Sequence, residues 1–144
     1  MTVVAITEAL GGQKLLRRKV GTSHQLVALV REGLPAETLP WMAEELSLDR
    51  GTVARVAGIS DRTLSRRLAS HSRLTAEESD RMVRIARVLA LADETLGNRE
   101  RSALWLKAPN RALDGHAPFE LLDTDTGVRS VETVLGRIAF GVYS

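Results

Sequence analysis

Apolar residues recur at intervals of three and four along most of this chain, which is the spacing of a single buried face on an α-helix. The clearest case is the segment "LTAEESDRMVRIARVLALADETLG". Its apolar stripe consists of Met82, Ile85, Ala86, Leu89 and Leu96. Thr75 and Glu78 have the spacing of a capping box at the start, and Gly97 can close the end. The pattern therefore predicts one long helix in the middle of the chain.

Shorter segments before it show the same spacing. "TSHQLVALVREG" predicts a helix that Thr22 or Ser23 can cap and that Gly33 can end. "LPAETLPWMAEELSL" predicts another, and either Pro35 or Pro40 suits its first turn, because proline lacks the N–H that a first turn leaves unpaired. The sequence alone does not choose between the two prolines.

The segments after the long helix complete the pattern. "NRERSALWLKAPN" predicts a helix ended by Pro109, and a brief helical turn follows at residues 118–122. A last helix is expected to begin at a capping Ser130. Its apolar positions are Val131, Val134, Leu135, Ile138 and Val142. We therefore predict an all-α fold, with a flexible arm at residues 1–21, where three glycines interrupt any helix.

Composition narrows the classes of function. Only 3% of residues are aromatic, so leucine, valine and alanine must build the core, and the absence of cysteine excludes disulfides and zinc–thiolate sites. The three histidines lack the spacing of metal ligands, so neither a metal nor a cofactor is expected. We find no nucleophile beside a base and no phosphate loop, which argues against an enzyme. No segment approaches the ~20 apolar residues that cross a bilayer, and we expect a cytoplasmic protein.

Charge is unevenly distributed although the net charge is only +2. Residues 49–73 carry six basic and two acidic side chains, a local excess of +4, and residues 1–20 carry four and one, a local excess of +3. Arg81, Arg84 and Arg87 line one face of the long helix, but we expect them to form i, i+4 ion pairs such as Glu77–Arg81 and Asp80–Arg84 rather than to bind nucleic acid. The excess at residues 49–73 indicates one face that binds a polyanion.

That basic segment, "DRGTVARVAGISDRTLSRRLAS", also has the spacing of a helix–turn–helix. Ala54 is small enough for the first helix to cross the second, Gly58 can adopt the positive φ of the turn, and Leu64 can hold the second helix down. The side chains left exposed would read DNA, with Arg62 and Thr63 at base edges and the others at phosphates. The predicted DNA-binding residues are Arg55, Arg62, Thr63, Ser65, Arg66 and Arg67. The alternative is a helix–turn–helix used only for packing or dimerisation.

Several linked motifs resemble one known family. "RTLSRR", "LTAEESDR", "WL.APN.AL.G..P.ELL" and the terminal "GRI..GV.S" occur in the order and spacing of the Xre/MbcA/ParS antitoxins, over about residues 22–144. The resemblance implies an Xre-type helix–turn–helix domain at residues 22–73 and a small helical toxin-binding domain at residues 74–144. It further implies a homodimer that represses its own operon and a partner toxin of the NAD-depleting RES-domain class. A stand-alone transcription regulator with a small-molecule or partner-sensing C-terminal domain is the alternative.

The resemblance also implies that the C-terminal segment "GRIAFGVYS" blocks the active site of the toxin. Chemistry suits such a role: an arginine can pair with a carboxylate, a glycine is slim, and a tyrosine offers an aromatic ring with a hydroxyl. The predicted toxin-binding residues are Arg137, Gly141, Val142, Tyr143 and Ser144. The alternative is that Phe140, Val142 and Tyr143 only complete the core of their own domain.

Overall fold

The computed structural model describes residues 1–141 of the chain, and within these residues it contains α-helices and two short 3₁₀ helices but no strand. The α-helices are α1 (Val3–Glu8), α2 (Gly12–Leu16), α3 (Ser23–Glu32), α4 (Thr38–Leu46), α5 (Arg50–Ala57), α6 (Asp61–Ala69), α7 (Ala76–Leu96), α8 (Arg99–Lys107) and α9 (Asp125–Ala139). The 3₁₀ helices are Arg111–Leu113 and Pro118–Asp123. The predicted all-α class is confirmed.

Local capping chemistry sets several of the helix boundaries. Thr22 caps α3 in a capping box with Gln25, and Gly33 ends that helix with a φ of 98°. Thr75 and Glu78 form the predicted capping box at the start of α7. In each box the side chain and the backbone satisfy donors that the first helical turn leaves without a partner.

The long helix α7 is the centre of the fold. The helices α1, α3, α8 and α9 all pack against it. Met82, Ala86 and Leu89 of α7 are completely buried, and they belong to a single apolar cluster that runs through both halves of the chain. Because both halves of the chain pack on this helix and share this core, α7 connects the N-terminal half to the C-terminal half.

Residues 1–21 differ from the flexible arm that the glycines suggested. They form α1 and α2, and the side chains of Leu10, Leu16 and Val20 are buried in the core. Gly11 and Gly12 adopt positive φ values of 109° and 75°, so they make the tight turn between two helices instead of loosening the segment.

One open boundary is settled and another differs from the sequence expectation. Helix α4 begins at Thr38, so Pro40 is the proline that lies within its first turn, whereas Pro35 forms an isolated bridge with the backbone of Arg73. Helix α9 begins five residues before the expected Ser130, because Thr124 caps it by accepting a hydrogen bond from the N–H of Gly127 at 2.9 Å.

Two of the three arginines on α7 pair across the fold and not along their own helix. Arg84 lies 3.9 Å from Asp125, and Arg87 lies 3.4 Å from Glu132, both on α9. Within residues 1–141 neither of the expected pairs, Glu77–Arg81 and Asp80–Arg84, forms. The ion pairs therefore help to hold α9, the last helix, against α7.

Candidate functional site

The helix–turn–helix has the geometry that its spacing predicted. Ala54 of α5 is fully buried, Gly58 adopts a φ of 75° between α5 and α6, and Leu64 of α6 is buried. Ser60 caps α6 by accepting a hydrogen bond from the N–H of Thr63 at 3.1 Å. Asp61 begins the helix at its positive end, where a carboxylate is favourable. The turn thus fixes α6 at a defined angle to α5.

The exposed side of α6 carries most of the predicted DNA-binding residues. Arg62, Ser65 and Arg66 are exposed, and neither arginine forms an ion pair within the described part of the chain. Thr63 is half-buried, and its hydroxyl accepts a hydrogen bond from the hydroxyl of Ser60 at 2.9 Å, so it also belongs to the cap. Arg62 and Arg66 are therefore the side chains of α6 best placed to meet a nucleic acid.

Arg67 differs from the prediction that it grips a phosphate. Its guanidinium donates a hydrogen bond to Glu78 of α7, and the two side chains are only 16% and 13% exposed. The position is one at which helix–turn–helix proteins often carry an apolar side chain. Here an ion pair fills that inward-facing place, with the half-buried Leu68 beside it.

Arg55 lies where the two halves of the chain meet. It is exposed on α5, and together with Val56 it lines a surface cleft of about 340 Å³ whose other side carries Glu120 and Asp123. The 3₁₀ helix Pro118–Asp123 packs against α5. Two carboxylates of the C-terminal half therefore lie beside one of the predicted DNA-binding arginines.

The predicted toxin-binding residues lie at the end of α9. Arg137 is exposed and lines an open cleft of about 390 Å³, together with His116, Thr133 and six other residues from the 112–121 segment and α9. Gly141 adopts a φ of 75° just after the helix, a conformation suited to glycine. Val142, Tyr143 and Ser144 lie outside the described residues, so their assignment stays a prediction.

Phe140 does not complete the core of its own domain. Its side chain is 88% exposed, although it directly follows Ala139, the last residue of α9. It falls three residues after Arg137, on the same side of the helix axis. An aromatic ring this exposed beside a cationic side chain is typical of a surface that another protein covers. The exposure of Phe140 could have been expected from the sequence, because Phe140 lies outside the apolar stripe of α9 that contains Val134 and Leu135.

Two other kinds of site are not formed by the described residues. Within residues 1–141 no group of three or more His, Cys, Asp or Glu side chains is placed to hold a metal ion. No helix in the same range has the length and hydrophobicity needed to span a membrane.

Comparison with known proteins agrees with both halves of this arrangement. The family model described as "Antitoxin Xre-like helix-turn-helix domain" matches residues 25–87, and the one described as "Antitoxin Xre/MbcA/ParS C-terminal toxin-binding domain" matches residues 91–141. Antitoxin Xre of Photorhabdus laumondii is 35% identical over 120 residues, which cover 83% of this chain and 81% of that protein. The chain belongs to the Xre/MbcA/ParS family of antitoxins.

Two further proteins are similar to this antitoxin. A chain in the crystal structure of the M. tuberculosis MbcT–MbcA toxin–antitoxin complex superimposes with a TM-score of 0.55 at 26% identity, covering 76% of this chain and 96% of that one. A Sphingobium protein named "Prs ADP-ribosylating antitoxin" is 23% identical over 127 residues, covering 82% of this chain and 80% of that protein. The two matched domains meet within α7, between residues 87 and 91.

Proposed function

We propose that this protein neutralises a RES-domain toxin that consumes NAD, by binding it through residues 74–144 and blocking its active site with the C-terminal segment. The observation that carries the proposal is the exposed end of α9, where Phe140 and Arg137 project without a partner among residues 1–141. The similarity to a chain from a toxin–antitoxin complex supports it.

The proposed toxin would catalyse one of two related reactions of NAD. Depletion of NAD and ADP-ribosylation, the reaction in the name of the Sphingobium relative, both break the bond between nicotinamide and ribose in NAD. In the first reaction ADP-ribose passes to a small nucleophile such as water or phosphate, and in the second it passes to an acceptor on another protein. A segment that enters the NAD pocket would stop either reaction, so the same inhibitory mechanism serves both classes of toxin.

The decisive experiment removes Gly141–Ser144 and measures inhibition of the toxin encoded beside this gene. We expect the truncated protein to keep its melting temperature, because the buried residues of α9, the last of which is Leu135, all precede the deletion, but to lose most of its inhibition. Release of nicotinamide reports either reaction, and labelling of protein with ADP-ribose separates them. Full inhibition by the truncated protein would contradict the proposed role of the segment.

We also propose that residues 22–73 bind an operator and repress the operon, as a homodimer in the cytoplasm. Helix–turn–helix dimers place two recognition helices in successive major grooves, so the operator should contain two half-sites about 10 base pairs apart. Support comes from Arg62 and Arg66, which are exposed on α6. Binding of promoter DNA by the purified protein, measured with and without the toxin, tests this part. Mass measurement in solution tests the dimer.

A further inference from the structure

A second basic surface lies outside the segments that the family models match. Helix α2 and the residues after it carry Lys14, Arg17 and Lys19, all exposed and none in an ion pair among residues 1–141. We call these three residues the α2 basic surface. Unlike a basic tail, the surface is held in place, because the intervening Leu16 and Val20 are buried.

Neighbouring contacts fix this segment further. Arg18 donates a hydrogen bond to Glu32 at the end of α3. Because its charge is already paired with this carboxylate, we do not include Arg18 in the α2 basic surface. That hydrogen bond and the nearby Arg18 charge keep the pKa of the Glu32 carboxyl below its ordinary value. The cations on either side of Arg18 are thereby presented from an ordered backbone, which lowers the entropy lost when they bind.

Contacts connect this surface to the loop that follows α6. Lys14 and Arg17 line a surface cleft of about 310 Å³ together with Glu37 and Trp41. The Glu37 carboxylate lies 3.7 Å from the imidazole of His71, which is in that loop.

The backbone joins the same two regions. The N–H of Ala36 donates to the carbonyl of Ser72 at 3.2 Å, and the N–H of Leu74 donates to the carbonyl of Leu34 at 2.8 Å. The segment before α4 is therefore paired with the segment after α6. Lys14 and Arg17 face the start of α4 across the cleft, and this paired segment places them on the side of the fold that carries the C-terminal end of α6, the recognition helix.

In several helix–turn–helix proteins the recognition helix occupies the major groove while the far end of that helix and adjoining segments meet the sugar–phosphate backbone. A basic surface at this end is thus positioned for the phosphates that flank the groove. Two acids, Glu8 and Glu37, lie near it. Glu37 is only 30% exposed and is directed at His71, so the exposed charge of this surface is mainly positive.

We propose that the α2 basic surface is a second contact with the DNA backbone, which extends the footprint of the helix–turn–helix beyond the major groove read by α6. This proposal rests on the operator binding proposed above. Contacts of this kind fix orientation and raise affinity without reading sequence. Each phosphate neutralised should add about 0.9 to the slope of log affinity against log salt concentration.

The test compares two lengths of duplex from the promoter of its own gene. The short duplex is the minimum that the wild-type protein binds, and the long one extends it by about 10 base pairs, one helical turn, on each side. The variant is Lys14→Gln with Arg17→Asn. Asparagine is chosen because Arg17 has a φ of 59°, which asparagine tolerates better than most residues. The matched control, Arg101→Gln with Arg111→Gln, removes two exposed cations from the C-terminal half.

On the long duplex we expect the variant to bind at least about tenfold more weakly at low salt, with a salt slope reduced by about two. On the short duplex the variant should bind with the affinity and salt slope of the wild type. The control variant should match the wild type on both duplexes. A variant that binds the long duplex with the wild-type slope would overturn the inference. So would a variant that loses inhibition of the toxin while keeping DNA binding, since the surface would then contact protein. Failure of the wild type to bind either duplex would instead contradict the operator binding itself.

Discussion

Arg67 and Glu78 join the recognition helix to the first turn of α7. The guanidinium of Arg67 donates to Oε1 of Glu78, and the same oxygen accepts a hydrogen bond from the N–H of Thr75 at 2.9 Å. One carboxylate therefore completes a capping box and anchors α6. Because both charged side chains are largely shielded from water, the loss of either one leaves the other with a substantial desolvation cost.

We expect Arg67→Ala to lower the stability of the fold by about 2 kcal/mol, between the values typical of exposed and fully buried ion pairs. Operator binding should weaken through misplacement of α6, while the salt slope stays at the wild-type value. Arg66→Ala should do the opposite, with an unchanged melting temperature and a slope reduced by about one. Denaturant unfolding and salt-dependent binding measure the two effects.

A double-mutant cycle controls for side effects of truncation. If Arg67 acts through Glu78, the variant Arg67→Ala with Glu78→Ala should be less destabilised than the sum of the single variants. Additive single effects, or a reduced salt slope in Arg67→Ala, would show that Arg67 contacts phosphate as its sequence position first suggested.

The backbone conformation of Gly58 restricts this position to glycine. Its φ of 75° is unfavourable for residues with a Cβ atom, whereas the atom nearest to a Cβ built there, Nη1 of Arg81 at 2.7 Å, is the end of a flexible side chain that can move away. We expect Gly58→Ala to destabilise the protein by about 1–2 kcal/mol. The matched control is Gly136→Ala in α9, where no atom of residues 1–141 outside the helix's own backbone lies within 4 Å of the added Cβ and helix propensity should stabilise the fold by about 0.5–1 kcal/mol. Thermal melts of the two variants should therefore shift in opposite directions, and a neutral Gly58→Ala would contradict the strain.

The features that depend on a few consecutive residues were predictable from the sequence. The capping threonines Thr22 and Thr75 act on donors three residues away, so their roles are encoded locally. The same holds for the turn at Gly58, whose spacing to Ala54 and Leu64 predicted the helix–turn–helix. The exposed arginines of α6 followed directly from that placement.

Two other features were not predictable in this way. The helical start of α9 was missed because "DTDTG" has the composition of a turn, yet Gly127 lies inside the helix. A Cβ at Gly127 would come within 1.8 Å of the carbonyl oxygen of Leu121, so this glycine permits close packing of the preceding 3₁₀ helix. The pairing of Arg67 with Glu78 likewise requires knowledge of how α6 and α7 are arranged.

Asp125 gives the fold a defined acid sensitivity. A hydrogen bond from Arg129 at 3.0 Å, supported by the charge of Arg129 and of Arg84, lowers the pKa of the Asp125 carboxyl in the folded state. A lowered folded-state pKa means that the stabilisation is present above the unfolded pKa of about 3.9 and is lost as pH falls through the folded value. Asp125→Asn should therefore lower the melting temperature at about pH 7, and its difference from the wild type should shrink towards about pH 3.

The control for this prediction is Asp114→Asn. Asp114 is exposed with a φ of 55°, a conformation that asparagine also accepts, and it forms no ion pair within residues 1–141. Its melting temperature should follow that of the wild type at each pH. A constant difference between Asp125→Asn and the wild type across the whole pH range would contradict the role given to the Asp125 carboxylate.

A substitution of Phe140 can distinguish a role in folding from a role in toxin binding. Because the ring is 88% exposed, its removal costs the isolated protein almost no buried apolar surface, and Phe140→Ala should melt at the wild-type temperature. If the toxin covers the ring, the same substitution should weaken the complex by about 2 kcal/mol, close to thirtyfold in Kd. Val4→Ala on α1, which trims another exposed apolar side chain far along the sequence, should change neither quantity. Calorimetry with the purified toxin measures both effects, and an unchanged Kd for Phe140→Ala would place the toxin contact elsewhere on the C-terminal half.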